Sequence, residues 1–144
     1  MRINNKKKVV LVGGCFDLLH YGHISFLKQA RFYGDWLVVA LESDENVKRM
    51  KGDRRPIHSQ SQRKEMLEAL SFVDEVIELP EMTGDQDYFD LVKKVKPSVL
   101  AVTEGDPKIE QKRKQAAEVH AELIAIPKIH TPSTSQLAKL LGLE

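Results

Sequence analysis

The stretch VVLVGGCFDLLHYGH, residues 9–23, joins four consecutive apolar residues to two glycines, an acid and two histidines. The apolar run is short and β-branched, as in a strand that is buried on both faces. Gly13 and Gly14 predict a sharp turn at the end of this strand, where a ligand can approach the main chain without meeting a Cβ atom. A helix is expected to begin near Tyr21 or Gly22.

Similar apolar runs recur along the chain, and segments with helical spacing separate them. Five strands are predicted, at residues 9–12, 36–41, 75–79, 98–102 and 122–126. Helical spacing of apolar residues appears at Ile24, Phe26, Leu27, Ala30 and Tyr33, at Met66, Leu67 and Leu70, at Phe89, Val92 and Val95, and at Ala116, Ala117 and His120. This alternation predicts a doubly wound, Rossmann-like α/β fold with a five-stranded parallel sheet and flanking helices. Such folds bind ligands beyond the carboxyl ends of their strands.

Composition predicts a single domain without a strong overall charge. The chain has 144 residues, of which 42% are hydrophobic, so residues 1–144 are expected to share a single core. The formal charge is +1 although 30% of the residues are charged. This balance argues against a nucleic-acid-binding protein that relies on bulk positive potential. Any anion site must therefore be local.

Cysteine usage and the first residues favour a cytoplasmic protein. Cys15 is the single cysteine, so the chain has no internal disulfide. Lys6, Lys7 and Lys8 precede an apolar run that is too short for a signal peptide or a membrane span. We therefore expect neither a membrane nor a nucleic acid as a partner.

Local signals mark the ends of several elements. Gly34 is typical of a helix C-cap, and Ser59 or Ser61 of an N-cap, with Glu65 near a capping-box position. Residues 51–62 are the most irregular segment and predict a mobile loop.

The two histidines of the opening stretch suggest a phosphate site. His20 and His23 are three residues apart and share one face of the first helical turn, and Gly22 keeps the space between them open. Imidazoles there can donate hydrogen bonds to phosphate oxygens beside the positive end of the helix dipole, and a bound phosphate would favour their charged form.

Three other interpretations of these residues remain open. The histidine pair could begin a metal site, although the sequence contains no further cluster of cysteine or histidine that completes one, and no metal ligand is assigned. Each histidine could instead serve in the core or at the helix terminus. Asp17 is typical of a turn residue that binds the backbone. Neither a G-x-G-x-x-G nor a G-x-x-x-x-G-K-[ST] pattern is present.

The ordered set of residues in this stretch resembles a known signature. Gly14-x-Phe16-Asp17-x-x-His20-x-Gly22-His23 is similar to that of the cytidylyltransferase-like nucleotidyltransferases, which carry a His-x-Gly-His motif. The likeness continues through Gly34-Asp35, Ser43-Asp44, Lys51-Gly52, Arg55-Pro56, Arg63, Val73-Asp74-Glu75, Lys96-Pro97, Gly105-Asp106 and Ser133-Thr134-Ser135. It therefore covers nearly the whole chain.

The resemblance implies an enzyme that joins a nucleotide to a phosphorylated metabolite. In this family the phosphate of a small acceptor attacks the α-phosphate of a nucleoside triphosphate, and pyrophosphate leaves without a covalent enzyme intermediate. Such catalysis needs in-line positioning, hydrogen-bond donors and Mg²⁺ carried by the triphosphate. The implied partners are a nucleoside triphosphate and a phosphorylated small molecule, and a homodimer is compatible with the resemblance.

The resemblance also assigns roles to individual residues. Catalytic roles are implied for His20, His23, Lys51 and Arg63, with Lys51 as mobile positive charge. Nucleotide contacts are implied for Gly14, Cys15, Phe16, Asp17, Gly22 and Arg55, for Thr103, Gly105 and Asp106 near the base, and for Ser133, Thr134 and Ser135 at a second anion-binding helix start. Two alternatives stay open: Arg63 as a surface arginine paired with Glu65 or Glu68, and the serine-threonine run as a plain N-cap.

Several substrates fit the family pattern. The adenylyltransferase domain that makes ADP-heptose resembles this chain in sequence at Cys15, at residues 51–57 and at residues 70–74. The CTP:glycerol-3-phosphate enzymes differ at Ser71, Phe72 and Lys128, and the archaeal-type FAD synthetases use the same chemistry on FMN. Where the heptose enzymes carry the loop Lys-Gly-Gly-Asp, this chain has Thr103-Glu104-Gly105-Asp106. Threonine thus replaces the lysine, and Glu104 replaces the first glycine. A non-catalytic nucleotide-binding protein is the alternative from another class.

Overall fold

A computed structural model describes residues 7–131 and 134–142, except for the side chain of Thr134. The strands are β1 (Val9–Gly14), β2 (Trp36–Leu41), β3 (Glu75–Glu78), β4 (Val99–Thr103) and β5 (Glu122–Ile126). The helices are α1 (Tyr21–Arg31), α2 (Asp44–Lys51), α3 (Gln60–Glu68), α4 (Asp85–Val95), α5 (Ile109–Glu118) and α6 (Thr134–Leu140). None of the described helices is long and apolar enough to cross a bilayer.

The five strands form one parallel sheet in the order β3-β2-β1-β4-β5. The chain moves outward from β1 to β3, returns to pair β4 with β1, and then adds β5. The order therefore reverses between β1 and β4, and the crevice at the carboxyl ends of these two strands is the expected ligand site.

Helices cover both faces of the sheet, and each face has its own hydrophobic core. Leu27 and Ala30 of α1 and Leu67 of α3 pack on one face with Val10 and Val12 of β1. On the other face, Val92 and Val95 of α4 and Ala116 of α5 pack with Val9 and Leu11. The α1 and α5 helices therefore reach the carboxyl edge of the sheet from opposite faces.

The predicted α/β fold is confirmed, and one helix was missed. All five predicted strands and all four segments with apolar spacing are present, as is the helix near the C-terminus. The additional helix α2 ends at Lys51, so the irregular loop shrinks to residues 52–59. Val47 is the one apolar residue that α2 buries among eight residues, and a single buried residue leaves no helical periodicity in the sequence.

Of the predicted caps, one is confirmed and one is wrong. Ser59 caps α3, but its capping-box partner is Gln62 and not Glu65. Gly34 is not the C-cap of α1, because that helix ends at Arg31 and Phe32 occupies the cap position. A Cβ atom on Gly34 would lie 2.4 Å from the carbonyl oxygen of Lys8, so glycine is required by close packing of the turn against the start of β1.

Candidate active site

A pocket of about 560 Å³ opens at the carboxyl edge of the sheet, beside β1 and β4. Its lining contains 13 of the 16 predicted site residues: Gly14, Cys15, Phe16, Asp17, His20, Gly22, His23, Lys51, Arg55, Thr103, Gly105, Asp106 and Ser135. Arg63 does not line it. Ser133 and the side chain of Thr134 lie outside the described residues. The fold thus gathers residues from distant parts of the sequence into one cavity.

The turn after β1 is made by non-glycine residues. Gly13 and Gly14 both belong to the strand, so the prediction that they form the sharp turn is wrong. The positive φ angles fall instead at Phe16 (46°) and Leu18 (55°), in the left-handed region that bulky residues rarely adopt. Glycine is needed at position 14 because a Cβ atom there would lie 2.8 Å from the Phe16 ring. We call residues 15–19 the phosphate loop, after the phosphate contacts that the family resemblance implies.

His20 and His23 cap the helix that follows the phosphate loop. The Nδ1 atom of His20 accepts a hydrogen bond from the backbone N–H of Gly22 at 3.0 Å. The Nδ1 atom of His23 accepts one from the backbone N–H of His20 at 3.2 Å. The two rings stack with centroids 3.8 Å apart, and the Phe16 ring packs against the edge of His23. Backbone and stacking contacts together fix both rings.

These hydrogen bonds determine the tautomer of each imidazole. An Nδ1 atom that accepts a backbone N–H carries no proton, so the neutral ring carries its proton on Nε2. Neither Nε2 atom has a hydrogen-bond partner among the described residues. Burial lowers the pKa of His20, and burial followed by the charges of His20 and Lys51 lowers that of His23 to about 4. The free protein therefore presents two neutral Nε2–H donors at the pocket.

Gly22 makes room for the first of these rings. A Cβ atom at Gly22 would lie 2.7 Å from the His20 ring and 3.2 Å from the Thr131 side chain. Any larger residue would displace the His20 ring from its cap position, which gives a physical reason for glycine between the two histidines.

Asp17 ties the phosphate loop to the loop at residues 52–59. Its carboxylate accepts hydrogen bonds from Arg55 Nε at 2.7 Å and from the backbone N–H groups of Ile57 and His58 at 2.8 and 3.1 Å. Burial raises the pKa of Asp17, but these three donors outweigh it and lower the pKa below its ordinary value. The side chains of Asp17 and Arg55 are almost fully buried. This geometry agrees with the interpretation of Asp17 as a backbone-binding residue.

Arg63 supports the phosphate loop from beneath. Its guanidinium donates to the carbonyl oxygens of Cys15 at 2.8 Å and His58 at 3.0 Å, and to the Asp44 carboxylate at 2.7 Å. The residue is 1% exposed, so the alternative of a surface arginine paired with Glu65 or Glu68 is wrong. This burial could not be predicted from the sequence, because the contacts join positions as far apart as residues 15 and 63.

Two further residues of the pocket are Lys51, at the end of α2, and Cys15, directly after β1. Lys51 is exposed at the end of α2 and has no ion-pair partner in the part of the chain that the structure describes. The Sγ atom of Cys15 lies 3.8 Å from Met50 Sδ, and burial raises the pKa of this thiol. Cys15 is thus a protonated thiol in the pocket lining, and Lys51 supplies an unneutralised positive charge beside it.

The turn after β4 forms the opposite side of the pocket. Gly105 has a φ angle of +82°, which suits glycine, and Asp106 accepts hydrogen bonds from the backbone N–H of Lys108 at 2.8 Å and from Lys112 Nζ at 2.6 Å. Lys112 lies in the first turns of α5 and lines the pocket, although no sequence motif includes it. The sequence signal that could have pointed to Lys112 is an acid, Asp106, just before a helix that contains a lysine.

The donors in this pocket suit the oxygens of phosphate groups. Anions can accept hydrogen bonds from the imidazole N–H groups, from backbone N–H groups and from the ammonium groups of Lys51 and Lys112. No group of three or more His, Cys, Asp or Glu side chains within residues 7–131 and 134–142 is arranged to hold a metal ion.

Comparison with known proteins identifies the family. The sequence profile of the family described as cytidylyltransferase-like matches residues 11–132. The chain belongs to the cytidylyltransferase-like family. The match includes β1 from Leu11 onward, every element from α1 to β5 and the complete phosphate loop.

Individual relatives agree with this family. The chain is 50% identical over 94 residues to the bifunctional protein HldE of Campylobacter fetus, and the aligned region covers 65% of this chain and 20% of that protein. It is 47% identical over 107 residues to the bifunctional protein HldE of Pseudomonas putida, covering 74% and 22%. The chain thus spans about a fifth of the length of these curated relatives. Family and relatives support a nucleotidyltransferase.

Solved structures share the fold. A lipopolysaccharide core biosynthesis protein from Thermoplasma volcanium matches with a TM-score of 0.67 and 22% identity, covering 87% of this chain and 98% of that one. A pantoate-β-alanine ligase from Francisella tularensis matches with a TM-score of 0.66 and 16% identity, covering 95% and 67%. At these identities the comparison confirms the Rossmann-like architecture.

Proposed function

We propose that this chain transfers AMP from ATP to a phosphorylated sugar, heptose 1-phosphate, and releases pyrophosphate. The observation that supports it most strongly is the pair of imidazoles whose Nδ1 atoms are held by backbone N–H groups and whose Nε2–H donors belong to the pocket lining. The identity of about half to the HldE proteins and the resemblance at residues 51–57 to the ADP-heptose-forming domain favour ATP and a heptose phosphate.

In the proposed reaction a phosphate oxygen of the acceptor attacks the α-phosphorus of ATP. The bond from this phosphorus to the oxygen that bridges to the β-phosphate breaks, and that oxygen leaves with pyrophosphate, so a diphosphate joins AMP to the sugar. His20 and His23 donate hydrogen bonds to oxygens that gain charge in the transition state. Lys51 adds positive charge. The Mg²⁺ that enters with ATP neutralises part of the triphosphate charge.

Arg63 is proposed to act through the phosphate loop and not by touching the substrate. The Cys15–Phe16 peptide bond is trans, so its C=O and N–H point in opposite directions. Because the Cys15 carbonyl points at the buried Arg63 guanidinium, the Phe16 N–H points away from it. This N–H has no partner among the described residues and is available to a phosphate oxygen.

A pyrophosphate-release assay tests the proposed function. The purified chain is incubated with Mg²⁺, with ATP or CTP, and with heptose 1-phosphate, glycerol 3-phosphate or FMN, and the nucleotide product is identified by mass spectrometry. We expect release with ATP and heptose 1-phosphate, and ADP-heptose as the product.

Each other outcome of this assay has a defined meaning. Turnover with CTP and glycerol 3-phosphate, or with ATP and FMN, would replace the proposed substrates and keep the reaction class. Binding of ATP without pyrophosphate release for every pair would contradict the proposal and favour a nucleotide-binding protein without turnover.

A further inference from the structure

The pocket has two walls of hydrogen-bond donors that come from opposite faces of the sheet. The α1 wall consists of His20, Gly22 and His23, and its helix packs on the core face with Leu27 and Ala30. The α5 wall consists of Asp106, Pro107 and Lys112, and its helix packs on the other core through Ala116. The two donor sets therefore line one pocket but belong to helices on opposite faces of the sheet.

In-line phosphoryl chemistry makes different demands on these two walls. The attacking oxygen and the leaving oxygen must lie on opposite sides of the α-phosphorus. If pyrophosphate departs beside the Nε2–H donors and the helix start of the α1 wall, the acceptor phosphate must approach from the opposite side. That side is the α5 wall.

Lys112 is the cation of the α5 wall. Its Nζ atom lies 2.6 Å from Asp106 Oδ2, and Asp106 Oδ1 is held by the backbone N–H of Lys108. The carboxylate thus fixes the position of the ammonium group, which has further N–H donors for a ligand. The side chain of Lys112 is 32% exposed and lines the pocket, so an anion can reach it.

Lys112 also acts electrostatically on Glu42, the residue that follows β2. Burial raises the pKa of Glu42, while the Tyr88 hydroxyl, which donates to this carboxylate at 2.7 Å, and the charge of Lys112 act in the opposite direction. The backbone N–H of Glu42 donates to the Gly14 carbonyl, which places Glu42 next to the end of β1. Lys112 therefore lies within electrostatic reach of the end of β2 and lines the same pocket as Gly14 at the end of β1.

We propose that Lys112 binds the phosphate of the acceptor, a sugar monophosphate, and that Asp106 positions Lys112 for this contact. The proposal rests on the proposed function for the identity of the acceptor. It assigns the nucleotide phosphates to the α1 wall and the acceptor phosphate to the α5 wall.

Equilibrium binding tests this assignment without requiring turnover. Heptose 1-phosphate is titrated by calorimetry into wild-type protein and into Lys112→Met, both saturated with Mg²⁺ and α,β-methylene-ATP, whose bridging methylene prevents reaction. We expect the Kd of the sugar phosphate to rise about tenfold or more in Lys112→Met, as for loss of a charge-assisted hydrogen bond, while the Kd of the nucleotide analogue stays within about twofold.

Two variants control for charge and folding. Lys114→Met removes an exposed lysine from the same helix and should leave both Kd values unchanged. Lys112→Arg keeps the positive charge and should restore part of the sugar phosphate affinity.

Three results would overturn the assignment: weaker binding of the nucleotide analogue in Lys112→Met, equal sugar phosphate binding in the wild type and this variant, or no sugar phosphate binding by the wild type. If binding depends on Lys112 but the wild type releases no pyrophosphate, the proposed function fails and the acceptor site stands.

Discussion

The two walls of the pocket differ in how their hydrogen-bond donors are held. On the α1 wall, each imidazole accepts a backbone N–H and stacks on the other, so both Nε2 atoms have fixed positions. On the α5 wall, one ion pair holds the end of a flexible lysine side chain. Rigid donors are suited to charge that develops in a transition state, whereas a cation on a long side chain, held by a single ion pair, is suited to capturing a substrate. The comparison predicts effects on kcat from the α1 wall and effects on substrate affinity from the α5 wall.

The largest effect should come from removing the Nε2–H donors while keeping the helix caps. His20→Asn retains an N-cap acceptor, and His23→Gln retains the acceptor of a capping box. We expect each variant to lower kcat by about a hundredfold or more, because a preorganised transition-state donor is lost. Steady-state kinetics measures the change, and thermal unfolding verifies that the fold is intact.

His120→Asn is the matched control for the histidine variants. His120 is exposed after α5 and has a φ angle of +58°, which asparagine tolerates. Its kcat should equal that of the wild type. If His20→Asn and His23→Gln also kept kcat within about threefold, the histidines would be structural and the contrast between the walls would disappear.

The second effect concerns the support beneath the phosphate loop. Arg63→Met leaves the Cys15 and His58 carbonyls without their donor, which should cost about 2 to 3 kcal/mol of unfolding free energy and lower kcat about tenfold or more. Arg31→Met is the control, because Arg31 also binds one carboxylate, of Asp74, and one carbonyl, of Gly34, at the far end of α1.

Stability and kinetics together separate the two arginines. Both variants should have a lower Tm, but at a temperature where both are folded only Arg63→Met should show a reduced kcat. Equal kcat values in the two variants would mean that Arg63 contributes to folding alone.

The pH dependence of stability tests whether the α1 wall is neutral. The pKa of His23 in the folded protein is lowered to about 4. Between about pH 6.5 and pH 4 the unfolded chain therefore binds a proton at this histidine that the folded protein does not bind. The free energy of unfolding should therefore be constant above about pH 6.5 and fall by up to about 3 kcal/mol as the pH drops toward 4. Denaturant unfolding of the wild type and of His23→Gln from pH 4 to 8 measures this term. Parallel curves would show that His23 is not held neutral.

The smallest effect is expected from the start of α6. Ser135 lines the pocket, and Ser135→Ala should raise the KM for the nucleotide about threefold and leave kcat unchanged, because one hydroxyl donor is lost from ground-state binding. Ser71→Ala, in an exposed turn before β3, is the control. An unchanged nucleotide KM in Ser135→Ala would remove this residue from the site.

The sequence predicted the sheet well because its signal is local. Each strand is a dense run of β-branched residues, whereas α2 was missed because Val47 is its one buried apolar residue. The pocket residues near the histidine motif were also predicted. The burial of Arg63 and the position of Lys112 were not, since both depend on contacts between elements that the chain brings together only on folding. The turn at Phe16 was assigned to the preceding glycines because a positive φ at phenylalanine has no sequence signature.

The most direct test of the two-wall account is a crystal structure of the protein with Mg²⁺, α,β-methylene-ATP and heptose 1-phosphate. The account predicts nucleotide phosphate oxygens within about 3.2 Å of the Nε2 atoms of His20 and His23 and the sugar phosphate on Lys112, at opposite sides of the α-phosphorus. Nucleotide phosphates bound to Lys112, or histidine Nε2 atoms turned away from an occupied pocket, would contradict it.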